Sequence, residues 1–215
     1  MYLPNGVRPQ TSGYSDAGAS YTRKALKSFN ARSSSPQEDI DFNNATLRQR
    51  SRMLYMSSPL ATSAINTNRT KAVGIGLTLK PTIDRESLGL SPEAAEEWQR
   101  HTKAEFGLWA SRKDACDAIG VNGFDALQQL ALVSWLMSGD VFAVIKRRPP
   151  DRLRPYSLRI HLVEADRVRT PMEYGGVTYP GFTNGKNSDT GNRIFDGVEV
   201  GASGMVVAYH VHSTY

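Results

Sequence analysis

The sequence predicts an α+β fold in which helices pack on a mixed or antiparallel sheet, behind a flexible N-terminal arm. The first 43 residues are rich in Gly, Ser, Asn and Pro and hold few clustered apolar residues, which is typical of a segment that does not order alone. Capped runs with helical apolar spacing follow, and then short apolar runs divided by Gly and Pro. We therefore predict an arm, residues 1–43, and one α/β domain, residues 44–215.

Composition limits the class of protein. The chain has 215 residues, 40% of them hydrophobic, and a net charge of +5, which suits a globular core and an acidic or polyanionic partner. Cys116 is the single cysteine, which excludes an internal disulfide and fits a reducing compartment. Neither a bilayer-length apolar run nor a secretory signal occurs, so we expect a cytoplasmic origin and no membrane contact.

The arm and the first half of the domain contain four predicted helices. Residues 19–29 predict a short docking helix within the arm. A second helix begins near Asn44, with Leu47, Leu54 and Tyr55 as its apolar stripe and arginines on the other face. Pairs of Ser and Pro begin the next two, at Ser58 and Ser91. Gly74 and Gly76 end the first of these, and residues 77–80 then predict a short half-buried strand.

The helix that begins at Ser91 and its successor supply the predicted core. Trp98 and Trp109 are expected to face that core, and residues 123–137 predict the most buried helix, ended by Gly139. The continuous apolar run 141–145 then predicts a central strand, because it is rich in β-branched residues and too short for a helix.

The last third of the chain predicts strands. Residues 157–163 form one, residues 172–192 a Gly/Asn/Ser loop, and 194–200 with 206–211 a hairpin around residues 201–204. Strand periodicity continues to Tyr215, so we expect the sequence to be a fragment of a longer chain.

Charge is segregated along the sequence. No acid lies between Asp41 and Asp84, where six bases occur: Arg48, Arg50, Arg52, Arg69, Lys71 and Lys80. Residues 84–145 hold ten acids and five bases, and residues 146–160 hold six bases and one acid. This pattern suits contacts between subunits in register, or contact with a polyanion.

Several side chains invite a chemical interpretation, and in each case a structural one is favoured. His210 and His212 share one side of a strand but lack a third zinc ligand, so we expect them on a sheet face. Glu164 and Asp166 resemble the start of a two-metal site, yet acids are common at such strand-to-loop corners. Asp140 after Gly139 is favoured as a turn residue over a catalytic base.

The remaining candidates concern nucleophiles and nucleic acid. Cys116 has no paired His and is expected to be a small buried thiol. Gly74 and Gly76 precede a predicted strand, so they cap a helix and do not cradle phosphate. Core packing is favoured over base stacking for the three tryptophans, which are Trp98, Trp109 and Trp135. Arg48, Arg50 and Arg52 should fan across a helix face, for which a solvated or subunit-facing stripe is at least as well supported as contact with DNA. We therefore predict no catalytic, cofactor-binding or metal-binding residue.

In the order and spacing of its segments the chain resembles the lambda-type family of tailed-phage portal proteins. The segments are ASYTRKALKSF, LRQRSRMLYMSSPLATSAINTNRTKAVGIGLTLKP, LWASRKDACDAIG, LVSWLMSGDVFAVI, HLVEADRVRTP and IFDGVEVGASGMVVAYHV. The resemblance implies the N-terminal wing of a portal subunit, with stem, clip and channel-lining segments later in the family's sequence.

The resemblance also implies a function and partners. It implies a structural, non-enzymatic subunit without cofactor, in a dodecameric ring at the portal vertex of the virion, assembled in the bacterial cytoplasm. Partners would be further copies of itself, the terminase large subunit, the major capsid and scaffold proteins, head-tail connector proteins and the double-stranded DNA that is packaged and ejected. The resemblance implies that channel contacts with DNA come mostly from segments that lie beyond residue 215 in the family's sequence.

Two other functions stay open on sequence alone. A metal-dependent nuclease without sequence preference would bind divalent metal and cleave nucleic acid, which a portal fragment would not do. A basic assembly adaptor would bind an acidic partner in a salt-sensitive way without binding DNA.

Overall fold

The computed structural model describes residues 42–176 and 184–213, together with Lys24, Ala25, Ser28 and Ile40. Within these residues it has five helices and six antiparallel strands, all in the compact unit Ile40–Tyr215, so the predicted α+β class is confirmed. The docking helix predicted at 19–29 falls almost wholly outside the described residues.

Helices α1 (Phe42–Ser57) and α2 (Pro59–Ala72) form a pair joined at Ser58. Ser58 caps α2, because its hydroxyl accepts the Ala61 N–H at 3.5 Å and Pro59 occupies the first helical position. At the other end Gly74, with φ +55°, donates its N–H to the Arg69 carbonyl at 3.1 Å. This left-handed glycine confirms the predicted helix cap.

The strand predicted at 77–80 is wrong, since no ladder forms there among the described residues. The Leu77 N–H donates instead to Gln128 Oε1 at 2.6 Å, and Gln129 Nε2 donates to the Gly74 carbonyl at 2.7 Å. Two glutamine side chains of the last helix thus hold this extended segment, and they take the place of a neighbouring strand.

The main hydrophobic cluster lies where α3 (Pro92–Ser111), α4 (Lys113–Cys116) and α5 (Phe124–Ser138) meet strand β2 (Leu158–Glu164). Trp109 is 7% exposed, its ring lies 5.0 Å from that of Phe124, and its indole N–H donates to the Leu158 carbonyl at 2.9 Å. The prediction for Trp109 is confirmed. Trp98 is 46% exposed, so the prediction that both tryptophans face a core is wrong for Trp98.

Helix α5 is less buried than its sequence suggests. Leu127 is buried, but Leu130 is 46% and Trp135 is 54% exposed, so the core packing expected for Trp135 is wrong. Among the described helices of more than one turn, α5 still has the smallest share of exposed residues, as predicted. Apolar residues are distributed around the whole helix, so the elements that pack on it leave some of them exposed. Gly139, with φ +82°, ends it as predicted.

Strands β1 (Val141–Arg147) and β2 (Leu158–Glu164) form a two-stranded antiparallel ribbon, with Val141 opposite Glu164 and Arg147 opposite Leu158. The strand predicted at 141–145 exists, but it is not central, because β2 is its single ladder partner among the described residues. Ile145 is accordingly 59% exposed.

Four short strands form a second antiparallel sheet in the order β3 (Asn184–Lys186), β4 (Arg193–Phe195), β5 (Val198–Val200), β6 (Val206–Tyr209). The predicted hairpin around residues 201–204 is confirmed. The predicted strand 194–200 is instead two strands, and the predicted loop 172–192 holds β3 and a 3-10 turn, Met172–Tyr174. Asp196 and Gly197, with φ +45° and +87°, make the tight turn that divides the strand.

Gly197→Ala should destabilise the protein more than Gly204→Ala. Both glycines have positive φ, so both alanines cost about 1 kcal/mol of backbone strain. A Cβ at residue 197 would also lie 2.4 Å from the Arg169 backbone nitrogen, whereas a Cβ at residue 204 meets open space.

Urea unfolding measures the difference. We expect Gly197→Ala to lower the free energy of unfolding by at least about 2 kcal/mol more than Gly204→Ala, since backbone must move. Equal losses for the two variants would contradict this packing.

Candidate functional site

The arginine face of α1 points into its own domain. Arg48 and Arg52 lie one helical turn apart, and Arg48 is only 8% exposed, while Arg50 between them is exposed. Leu47 and Leu54, the predicted apolar stripe, are 53% and 55% exposed. The prediction of a fanned, solvated arginine stripe is therefore wrong for Arg48 and Arg52, because their i, i+4 spacing aligns them on acids distant in sequence.

Arg48 closes the C-terminal end of α5. Its Nε donates to the Ser138 carbonyl at 3.0 Å, and its Nη2 lies 2.8 Å from Asp140 Oδ2. A cation is favourable there, because the last carbonyls of a helix carry partial negative charge. Asp140, predicted as a turn residue, thus also forms an ion pair across 92 residues of sequence.

Arg52 binds the other side of the same junction. Its Nε and Nη2 donate to Ser138 Oγ at 3.2 and 3.1 Å, and its Nη1 pairs with Asp166 Oδ2. The Asp166 side chain is 3% exposed, and its second oxygen lies 3.8 Å from Arg48 Nη1. Asp166 is thus shared between both guanidinium groups, and we call these residues, with Asp140 and Ser138, the arginine junction.

The opposite charges in the arginine junction join α1 to the ends of α5 and β2. Two buried or half-buried cations face Asp166 and Asp140, and Glu164 lies 4.0 Å from Arg52. The guanidinium groups thus lie against the carboxylate oxygens that a metal ion would need as ligands. Among the described residues, no group of three or more His, Cys, Asp or Glu side chains is arranged to hold a metal ion.

A cavity of about 380 Å³ adjoins the junction and separates α1 from the two sheets. Its lining includes the charged side chains of Arg48 and Asp140 and the aromatic rings of Phe142, Phe195 and Tyr209. Phe142 of β1 and Tyr209 of β6 meet there with ring centroids 5.4 Å apart. The cavity therefore lies where the ribbon β1–β2 and the sheet β3–β6 touch.

A second polar cluster is built on Glu199, which is 3% exposed in β5. Thr190 Oγ1 and Asn192 Nδ2 donate to one carboxylate oxygen at 2.7 and 2.8 Å, and Asn187 Nδ2 donates to the other at 3.0 Å. These bonds lower the pKa of Glu199 from 4.5 to about 2. The carboxylate thereby fixes the loop between β3 and β4.

The two histidines do not form a metal site together. His210 Nε2 lies 2.9 Å from Glu199, which makes His210 part of the loop cluster. His212 is half-buried, and burial first, then the charge of Arg169, lowers its pKa, so it is held in the neutral form. These contacts support a structural role for both histidines and not a shared zinc site.

The other candidates also have structural positions. Cys116 is fully buried in the core, where burial raises the pKa of its thiol, as expected for an inert cysteine. Beside it, the Asp117 carboxylate accepts the N–H groups of Ile119, Val121 and Asn122 at 2.9 to 3.0 Å. Burial raises the pKa of Asp117, but these three bonds outweigh it and lower the pKa overall.

Sequence reasoning missed the arginine junction, the Glu199 cluster and the Asp117 turn. Asp117 precedes a Gly and an Asn by a few residues, which is a local turn signal that was available. Glu199 between two valines of a strand was also a signal, because a charge at an inward position needs partners. The Arg52–Asp166 pair spans 114 residues and has no local signal.

The fold and these clusters define a structural α+β domain whose buried charges are used for positioning. Residues 22–215 match the lambda family of phage portal proteins, and the chain belongs to that family. A search of curated proteins returns no match. Portal proteins of this family are structural components of the virion that self-associate at the capsid vertex. Among the described residues, no helix is both long and apolar enough to cross a membrane.

Replacing Arg48 should destabilise the fold, whereas replacing Arg50 should not. Arg48→Met removes a buried cation from Asp140, Asp166 and the end of α5, so we expect a loss of about 3 kcal/mol in the free energy of unfolding. Arg50→Met is the matched control on the exposed face and should cost at most about 0.5 kcal/mol. Urea unfolding of both variants tests this, and equal effects would refute the junction.

Stability should fall in acid through Glu199. Because its folded pKa is about 2 against an ordinary 4.5, its contribution is present above pH 4.5 and is lost as pH falls toward 2. Glu199→Gln should flatten that part of the stability curve, measured as the urea midpoint against pH. Glu86→Gln, an exposed control, should leave the curve unchanged, and an unchanged curve for Glu199→Gln would contradict the cluster.

Proposed function

We propose that residues 44–215 form the wing of a portal ring subunit, with residues 1–43 as an arm that docks on a partner. In this proposal twelve copies close a ring that serves as the conduit for DNA packaging and ejection. The ring also provides the platform for the terminase large subunit, the head-tail connector proteins and the capsid or scaffold proteins. The family match over residues 22–215 is the observation that carries the proposal.

The contacts of α1 support a structural role for this helix within the subunit. Because the arginine junction ties α1 to the ends of α5 and β2, the helical layer and the ribbon are held as one piece. The side of α1 away from Arg48 and Arg52 leaves Leu47, Met53 and Leu54 more than half exposed. Such a face suits burial against another subunit, since soluble monomers rarely expose adjacent large apolar residues.

We also propose that the chain has no catalytic, cofactor or metal site and that assembly takes place in the host cytoplasm. The acids first considered for a nuclease, Glu164 and Asp166, face Arg52, and Asp140 faces Arg48. Each buried polar cluster instead fixes a helix end, a turn or a loop. These contacts favour a structural subunit over a metal-dependent nuclease.

Native mass spectrometry of this chain, and of the complete gene product that contains it, tests the proposal. We expect the complete product to close into one discrete ring, with a subunit number near twelve. Negative-stain images should show an annulus. A gene product that stays monomeric at all concentrations would overturn the proposed function, and so would divalent-metal-dependent cleavage of DNA.

A further inference from the structure

The end of the ribbon β1–β2 is an exposed, strongly basic surface, which we call the basic tip. Residues 146–154 hold five bases, Lys146, Arg147, Arg148, Arg152 and Arg154, and one acid, Asp151, a net charge of +4. Arg154 pairs with Asp151 at 3.1 Å. Within the described part of the chain, the other four bases make no ion pair, and all four are exposed.

An acidic surface of equal and opposite charge lies around the start of α3. Residues 84–97 hold five acids, Asp84, Glu86, Glu93, Glu96 and Glu97, and one base, Arg85, a net charge of −4. All five acids are exposed, and Glu97 has a loose pair with Arg100 at 3.3 Å. The two surfaces therefore match in net charge.

The tip does not reach the acidic surface of its own chain. Tyr156 Oη donates to Glu105 at 2.7 Å, and the Trp109 indole donates to Leu158, so the ribbon lies along the C-terminal half of α3. Asp114 mainly, and Asp151 of the tip to a smaller extent, raise the pKa of Arg112 just after that helix. Glu97 lies 15 residues before Arg112, which at 1.5 Å per residue is roughly 20 Å along the axis.

Both surfaces also carry exposed apolar side chains. Leu153 at the tip is 74% exposed, and Trp98 and Leu88 beside the acids are 46% and 61% exposed. A phosphate backbone would match the arginines but would leave Leu153 in water. A protein surface with an aromatic residue among acids matches both features, because arginine also stacks on tryptophan.

We propose that the basic tip of one subunit docks on the acidic surface, residues 84–97 and Trp98, of the next copy of this chain. Because the two surfaces lie at different places on the molecule, the contact is heterologous and repeats from copy to copy, as a ring requires. The inference rests on the proposed ring and names the surfaces that set the order of its subunits.

Two charge-reversal variants of the complete gene product test the contact. Arg147→Glu/Arg148→Glu/Arg152→Glu reverses the tip, and Glu86→Arg/Glu96→Arg/Glu97→Arg reverses the acidic surface without disturbing Glu93 at the helix start. Each variant alone places like charges opposite each other, so we expect association at least about 100-fold weaker than in the unmodified protein. Lys71→Glu/Lys80→Glu/Lys186→Glu makes the same charge change as the tip variant at exposed positions outside both surfaces and outside α1, and it should assemble normally. Circular dichroism checks that every variant is folded.

Mixing the two reversed variants gives the decisive result. Each tip then meets a surface of opposite charge only on the other variant, so native mass spectrometry should show restored rings with equal numbers of both. Normal assembly of the tip variant alone would overturn the inference and leave the proposed ring standing. Failure of the mixture to assemble would also overturn the inference. A tip variant with an intact ring and lost DNA binding would assign the tip to nucleic acid instead. If the unmodified protein never associates, the ring and the inference fail together.

Discussion

Two guanidinium groups on one face of α1 determine how the rest of the domain is held. Arg48 neutralises the end of α5, and Arg52 reaches Asp166 just beyond β2, so one helix connects two elements that are distant in sequence. Buried charge of this kind contributes little net stability compared with a well-packed apolar contact. It is directional, however, and it fixes the orientation of α1, which apolar packing alone would leave less well defined.

That orientation decides which side chains the domain presents outward. With the arginines inside, Leu47, Leu54 and their apolar neighbours face outward, which is the reverse of an ordinary amphipathic surface helix. The same logic holds at Glu199, where a buried carboxylate orders a polar loop, and at Asp117, where another closes a turn. Each polar cluster fixes a helix end, a turn or a loop in one conformation.

Local signals in the sequence predicted local structure well. Ser-Pro pairs marked the starts of α2 and α3, and glycines marked the ends of α2 and α5, because caps depend on residues a few positions apart. The Asp196-Gly197 turn had an equally local signal, which a continuous strand assignment over 194–200 overlooked.

The long-range contacts were not predictable in the same way. A periodic pattern shows that Leu47 and Leu54 share one face of a helix. It does not show that the arginines of the other face pair with Asp140 and Asp166, which are far away in sequence. The exposure of Trp98, Leu130 and Trp135 has the same origin, since helical spacing gives a face without saying what covers it. Membership of the portal family is visible in the order of sequence segments along the chain, which does not depend on which side chains are buried.

A cryo-electron microscopy map of the complete gene product, at side-chain resolution, tests this account most directly. The account predicts a closed ring in which Arg48 and Arg52 contact Ser138 and Asp166 of their own subunit, while the exposed apolar face of α1 is covered by a neighbour. A map in which these arginines line the channel or contact an adjacent subunit would contradict it.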